Sequence, residues 1–219
     1  SSLDDKVGSG GVVILPNSNY VTWHNFWDRG DIVDAGAVTW CNGEKGCKGV
    51  VSSDNSLVGS NPSDQVGSHG VLALENGNYI VRSSFWDNGA TVNVGAVTLC
   101  EGDSGCTGVI TSANSLIGSK LKDQIGSNGV VELSDGDYVV MSSYWDNDTL
   151  VGVSAAVDAG AVTWCNGETG CTGIVSKENS LVGSTPYDEI GRDGLIALPN
   201  GNYVVRSDKW DNSLAVDAG

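Results

Sequence analysis

The sequence is short of proline, methionine and charge: its 219 residues include 4 Pro and 1 Met, and 17% are charged. No run of 18 apolar residues occurs, so we expect no insertion into a membrane. Only 11 Lys and Arg stand against 27 Asp and Glu, a net charge of -16. Without basic clusters to neutralise phosphates, nucleic acid is not expected as a partner. The acidity favours solubility, cation binding or a cationic partner.

Catalytic motifs are also lacking. The sequence has no Gly-x-Ser-x-Gly, no His-Glu-x-x-His and no loop that would cradle a phosphate. His24 and His69 are its two histidines, and His24 has no catalytic partner nearby in sequence. We therefore expect a protein that is not an enzyme.

The six cysteines form three copies of Cys-x-Gly-x-x-Gly-Cys ("CNGEKGC", "CEGDSGC" and "CNGETGC"). Two glycines in so short a loop favour a tight turn between adjacent strands. Zinc ligation matches this spacing less well, because zinc sites usually add a second cysteine pair or histidines. The spacing predicts disulfides worth roughly 2 kcal/mol each, and hence an extracellular or cell-surface location. The predicted pairs are Cys41–Cys47, Cys100–Cys106 and Cys165–Cys171.

A stretch of twelve residues occurs four times: "SNYVTWHNFWDR", "GNYIVRSSFWDN", "GDYVVMSSYWDN" and "GNYVVRSDKWDN". Its second tryptophan recurs after 59, 59 and 65 residues, and the cysteines follow the same spacing. The six extra residues fall in "DTLVGVSAAVDAG". A constant period with one insertion predicts a single domain of tandem units, which are residues 1–62, 63–121, 122–186 and 187–219.

Each unit reads as four short strands. In the second unit these are "GVLAL", "YIVRS", "GAVTL" and "GVITSANSLIGS", the last bent near Ser-Ala-Asn. The Asn-Gly between the first two predicts a two-residue hairpin turn. Four antiparallel strands per repeat predict an all-β, β-propeller-like fold of about four blades with disulfide-braced turns. A β-solenoid is the alternative, although its rungs are usually shorter.

The order of these features resembles FG-GAP repeats, the blades of integrin-α-like propellers, and secreted bacterial tandem-repeat proteins. The Gly-Ala-Val strand, the small-residue turn, an Asp-x-x-Gly step and an Asn-Gly hairpin follow one another as in that family. The Asp-x-x-Gly steps begin at Asp5, Asp64, Asp123 and Asp188. The resemblance implies a propeller architecture and says little about activity.

Calcium-binding FG-GAP loops carry several alternating carboxylates, because Ca²⁺ takes six to eight oxygen ligands. The corresponding turns here are "PNSN", "ENGN", "SDGD" and "PNGN". Only Asp135 and Asp137 place two carboxylates in one such turn. We therefore expect hairpin turns and no cofactor, with calcium at Asp135 and Asp137 as a weak candidate.

Two interpretations of the repeated Trp-Asp stay open. The rings could be platforms on which a sugar stacks while the carboxylate accepts hydroxyl hydrogen bonds. Alternatively, the tryptophan packs between units and the aspartate caps turn amides, which we favour. The candidate ligand-binding residues are Trp27, Asp28, Trp86, Asp87, Trp145, Asp146, Trp210 and Asp211.

The first half of the unit occurs four times and the second half three times, so the last blade is expected to lack its outer strands. Either the chain is a piece of a longer array, or another copy covers the open edge. We expect an extracellular structural or adhesive protein that self-associates, in a filament or tube. The alternative is a multivalent lectin that binds glycans through its Trp-Asp loops.

Overall fold

The computed structural model describes residues 5–148, 156–212 and 215–219, and over these residues the chain consists of strands and turns. No helix in the described part is long and apolar enough to cross a membrane. The strands of the first two units are β1 Gly11–Ile14, β2 Tyr20–His24, β3 Ala37–Cys41, β4 Ser56–Val58, β5 Val71–Ala73, β6 Tyr79–Ser83, β7 Ala96–Cys100, β8 Gly108–Val109 and β9 Leu116–Ile117. Those of the last two are β10 Gly129–Glu132, β11 Tyr138–Ser142, β12 Ala161–Cys165, β13 Gly173–Ile174, β14 Ser180–Val182, β15 Leu195–Ala197 and β16 Tyr203–Val205.

Each of the first three units contributes four strands to an antiparallel sheet, whereas β8 and β13 pair with strands of the preceding unit. In the first unit the order is β1-β2-β3-β4, and Val21 lies opposite Val13 on one side and Trp40 on the other. The fourth unit contributes the pair β15-β16. The predicted all-β array of tandem units, each packed as a sheet, is confirmed. The inserted segment of the third unit falls largely on residues 149–155, outside the described residues.

The predicted fourth strand is in fact two strands that join different sheets. β8 pairs in parallel with β4 of the preceding unit, so that Val58 lies opposite Val109. β9 pairs with β7 of its own unit and in parallel with β13 of the next. The prediction of one bent strand is therefore wrong. Hydrogen bonds across these parallel pairs tie consecutive units together.

The hairpin turns also differ from the predicted two-residue type. The amide of Leu74 donates to the carbonyl of Asn78 at 2.8 Å, and the amide of Gly77 donates to the carbonyl of Leu74 at 3.0 Å. Gly77 has a φ of +96°, whereas Asn76 is not in the left-handed region that a type I′ turn would require of both central residues. The loop is the three-residue form, with one left-handed residue before a bulge.

The apolar core lies between consecutive units. One cluster joins Val21, Val38 and Leu57 of the first unit to Tyr79 and Trp86 of the second. Equivalent clusters join the second unit to the third and the third to the fourth. Each buried side chain of this size contributes roughly 1.5–3 kcal/mol, so a unit is stabilised mainly by its neighbour, as in other repeat proteins.

The three predicted disulfides are present and close the turns that follow β3, β7 and β12. Glycine is needed inside these turns because they lie against the hairpin turn of the same unit. A Cβ on Gly102 would lie 1.8 Å from the carbonyl oxygen of Gly77. The disulfides indicate a protein of an oxidising, non-cytoplasmic compartment.

The close contact at Gly95 generates a stability prediction. Gly95 has a φ of +77° and its Cβ would meet the Ile125 backbone nitrogen at 2.2 Å, whereas Gly89 has a φ of +61° with open space around it. Gly89→Ala should lower the unfolding free energy by about 1 kcal/mol, because the only penalty is an alanine in the left-handed backbone region. Gly95→Ala should cost about 3 kcal/mol or more, because the backbone must also move. Urea denaturation of both variants measures the difference. An equal decrease in unfolding free energy for the two variants would contradict the clash predicted at Gly95.

Candidate functional site

A buried carboxylate joins each pair of consecutive units. Asp64 is fully buried, and its Oδ2 accepts hydrogen bonds from the amides of Ser60 and Asn61 at 2.7 and 2.8 Å. Its Oδ1 accepts from the amide of Asp87, in the Trp-Asp-Asn loop of the second unit, at 2.9 Å. One side chain therefore fixes the end of the first unit against the loop of the second.

The same arrangement recurs at the other Asp-x-x-Gly steps. Asp123 accepts from the amides of Ser119 and Lys120, both at 2.8 Å, and of Asp146 at 3.1 Å. Asp188 bonds in the same way to the amides of Ser184, Thr185 and Asp211. At the start of the chain, Asp5 accepts from the amide of Asp28 at 3.1 Å. We call Asp5, Asp64, Asp123 and Asp188 the clamp aspartates.

Burial affects the clamp aspartates differently. Burial raises the pKa of Asp64 and raises the pKa of Asp123 to about 6, although amide donors oppose it in both cases. At Asp188 burial also acts to raise the pKa, but the hydroxyl of Thr185 donates to this carboxylate as well, and together with the amides it holds the pKa below its usual range. The array therefore contains carboxyls of the same structural role with different proton affinities.

The aspartate of each Trp-Asp-Asn caps its own loop. Asp87 Oδ1 accepts from the amide of Asn93 at 2.6 Å, six residues further along. Asp146 closes the longer loop of the third unit in the same way, by accepting from Asp158 at 2.8 Å. The residues at the far end of these loops, including Asn93 and Asp158, have positive φ. The six inserted residues are accommodated inside a loop whose two ends are fixed by one carboxylate.

The tryptophans of this loop are interior residues. Trp27, Trp86 and Trp145 are 5%, 3% and 3% exposed, and Trp210 is half-buried against the cluster between the last two units. The faces of the first three rings are covered, so they are not placed to stack on a sugar. Their packing matches the structural interpretation, whereas the multivalent lectin stays a prediction that their geometry does not favour.

His24 replaces a serine of the later units. The amide of Gly67 donates to the Ser83 hydroxyl at 3.1 Å, and the amide of Gly8 donates to Nδ1 of His24 at 2.6 Å. His24 is 2% exposed, and burial lowers its pKa. The Nδ1 of the ring thus accepts a hydrogen bond within the fold, and its Nε2 lies 3.5 Å from the Thr39 hydroxyl.

Comparison with known families places these residues in a repeat. A family model described as DUF5650, a repeat of unknown function, matches residues 14–68, 73–127, 132–192 and 197–219. The chain belongs to the DUF5650 repeat family. A search of curated proteins finds no match. Each full DUF5650 match runs from a hairpin, through the Trp-Asp loop and the disulfide turn, to the next clamp aspartate, so these elements form one repeated structure.

The weak calcium candidate lies in the hairpin turn of the third DUF5650 repeat. Asp135 Oδ1 accepts from the amide of Asp137 at 3.2 Å, and Asp137 Oδ1 accepts from the amide of Gly167 at 2.9 Å. Both carboxylates therefore hold the turn and its contact with the disulfide turn. Within the ranges that the structure describes, no group of three or more His, Cys, Asp or Glu could hold a metal ion.

Two features of the DUF5650 repeat were missed as sites by sequence reasoning. The Asp-x-x-Gly steps recur with the same 59- and 65-residue spacing as the tryptophans, a signal that could have identified their aspartates as contacts between units. Trp40 is not among the predicted site residues. Its indole Nε1 donates to the carbonyl of Gly102 in the next disulfide turn at 2.8 Å.

Two clamp aspartates provide a pH prediction. Asp123 should titrate near pH 6 and Asp188 below its ordinary range, as followed by the carboxyl ¹³C shifts. The pKa of Asp123 rises from 3.8 in the unfolded chain to about 6 in the folded protein. Protonation of Asp123 therefore stabilises the folded state fully below pH 3.8, and this stabilisation is lost as the pH rises through about 6. For Asp188 the stabilisation is present above its unfolded-state pKa and is lost as the pH falls through its lower folded-state value. An Asp188 that titrates above Asp123 would refute the assigned causes.

Trp86 provides a packing prediction. Trp86→Ala should lower the unfolding free energy by about 3–5 kcal/mol, because it empties a core position. Trp164→Ala, at a position 47% exposed, should cost about 1 kcal/mol or less. The indole N–H of Trp86 has no hydrogen-bond partner in the described structure. Trp86→Phe, which keeps an aromatic ring in the core, should therefore lower the unfolding free energy much less than Trp86→Ala does. Denaturant unfolding of the three variants tests this, and similar losses for Trp86→Ala and Trp164→Ala would contradict a core role.

Proposed function

We propose that this protein is a non-catalytic structural repeat protein of the extracellular space, whose copies stack head to tail. The observation that carries the proposal is that apolar positions used between units inside the array are exposed on the first and last units. An adhesive role and an FG-GAP-like propeller arrangement belong to the same proposal. The disulfides support the extracellular location, and the tandem antiparallel units support the repeat arrangement.

Inside the array the first hairpins of consecutive units pack together. β1 contacts β5, and Val13, Val71 and Ala73 pack into the same apolar cluster. The third and fourth units repeat this contact, with Val131 and Leu195 in one cluster. Because side chains alternate along a strand, each first strand has one face toward the preceding unit and one toward the following unit.

The outward faces are apolar at both ends. Val12 and Ile14, in the positions of Val71 and Ala73, are 60% and 73% exposed. We call them the head face. On the fourth unit Ile196 and Val204 are 54% and 49% exposed, whereas Val21, which corresponds to Val204, is fully buried. We call Ile196 and Val204 the tail face.

The two faces are suited to each other because the array already contains the same contact. A head face on the tail face of another copy would repeat the contact between β1 and β5. This contact uses two different surfaces, so it does not close after two copies and extends into a chain or ring.

The test uses one variant blocked at each face, V12K/I14K and I196K/V204K, with L121K as the control for an exposed leucine of the second unit. Light scattering on a sizing column should show particles that grow with concentration for the wild type and L121K. Each double variant alone should stay at the 22.6 kDa monomer mass, because a buried lysine charge is costly in an apolar contact.

Mixing the two double variants sharpens the test. Each retains one intact face, and the two intact faces are complementary, so the mixture should form particles of twice the monomer mass and nothing larger. A wild type that stays monomeric at all concentrations would overturn the proposal. Assembly by V12K/I14K alone would show that a different surface is used.

A further inference from the structure

We infer that the cleft between the first two disulfide turns binds an acidic sugar, meaning a pyranose that carries a carboxylate. The cleft has a volume of about 330 Å³, within the size range of small-ligand sites. Trp40, Lys45, Lys48 and Asp54 of the first unit line it together with Ser104 and Thr107 of the second.

Trp40 supplies the aromatic surface that the buried Trp-Asp loops lack. Its ring is half-buried, and its Nε1 donates to the carbonyl of Gly102 at 2.8 Å. The side chain of Asn19 donates to the same carbonyl at 3.0 Å. These contacts fix the orientation of the indole, and a fixed ring that lines a cleft is suited to the apolar face of a pyranose.

Lys45 and Lys48 give the cleft a positive charge in a protein of net charge -16. Both side chains are exposed, and among the described residues neither forms an ion pair within 4.0 Å. Two ammonium groups beside an aromatic ring favour a carboxylate-bearing ligand. The Asp54 carboxylate and the Thr107 hydroxyl can bond to its hydroxyl groups.

The other units do not repeat this combination. In the second unit the positions of Trp40, Lys45 and Lys48 are Leu99, Ser104 and Thr107. The third unit has Trp164 with Thr169 and Thr172. Since both units still form the same disulfide turn, the lysines are not needed for the fold. Their place in the cleft therefore indicates a role in binding.

The test is an NMR titration of the Trp40 indole N–H, which is assigned by its loss in W40L. Glucuronate should shift this signal and bind at least about tenfold more tightly than glucose. K45T/K48T, which installs the residues of the third unit, should abolish the preference for glucuronate. K120T/K177T makes the same change of charge in other units and should leave binding unchanged.

The remaining arms separate an acidic-sugar site from other sites. If acetate or sulfate shifts Trp40 as well as glucuronate does, the cleft is a simple anion site and the inference fails. Equal affinity for glucose and glucuronate would remove the role assigned to the lysines. Absence of any shift at about 100 mM glucuronate, a concentration that would reveal even very weak binding, would also overturn the inference. V12K/I14K protein can serve for all titrations, so the result does not depend on self-association.

Discussion

The buried clamp aspartate is the interaction on which the array depends. A carboxylate removed from water is costly unless donors surround it. For Asp64 two of these donors come from the end of one unit and the third from the Trp-Asp loop of the next. Neither unit alone can satisfy the group. Separating two units would leave this carboxylate short of a donor and would also open the apolar cluster beside it, so folding of one unit is tied to the presence of its neighbour.

This constraint explains why the array tolerates change at some places and not at others. The third unit adds six residues to its Trp-Asp loop, yet Asp146 still accepts from the amide at the far end, Asp158, at 2.8 Å. The loop between fixed ends can therefore lengthen at small cost. Gly95 and Gly160 follow these loops, and a Cβ on either would meet the backbone of the next unit at 2.2 Å. Here the approach of two backbones leaves no room for a side chain.

Local sequence predicted what depends on local geometry. The disulfides, β6 and the period of the units follow from spacing and alternation, and the structure confirms them. The hairpin was assigned two residues because Asn-Gly is common in type I′ turns, but the chain places only Gly77 in the left-handed region. The split of the fourth strand depends on contacts with neighbouring units, and no pattern within one unit encodes it. The recurrence of the loop tryptophan already favoured its packing between units, which the burial of Trp86 matches, and the repetition of the Asp-x-x-Gly step carried further information on these contacts.

The division between constant and variable positions bears on function. The clamp aspartate, the loop tryptophan and the disulfide recur in successive units because each contributes to the contact between units. The turn positions represented by Lys45 and Lys48 carry hydroxyl side chains in the next two units and contribute nothing that the fold requires. An array built in this way can present a different turn surface on every unit while its interior stays the same. In the assembly and the sugar site that we propose, stacking uses what the units share, and ligand recognition uses what distinguishes one unit from the others.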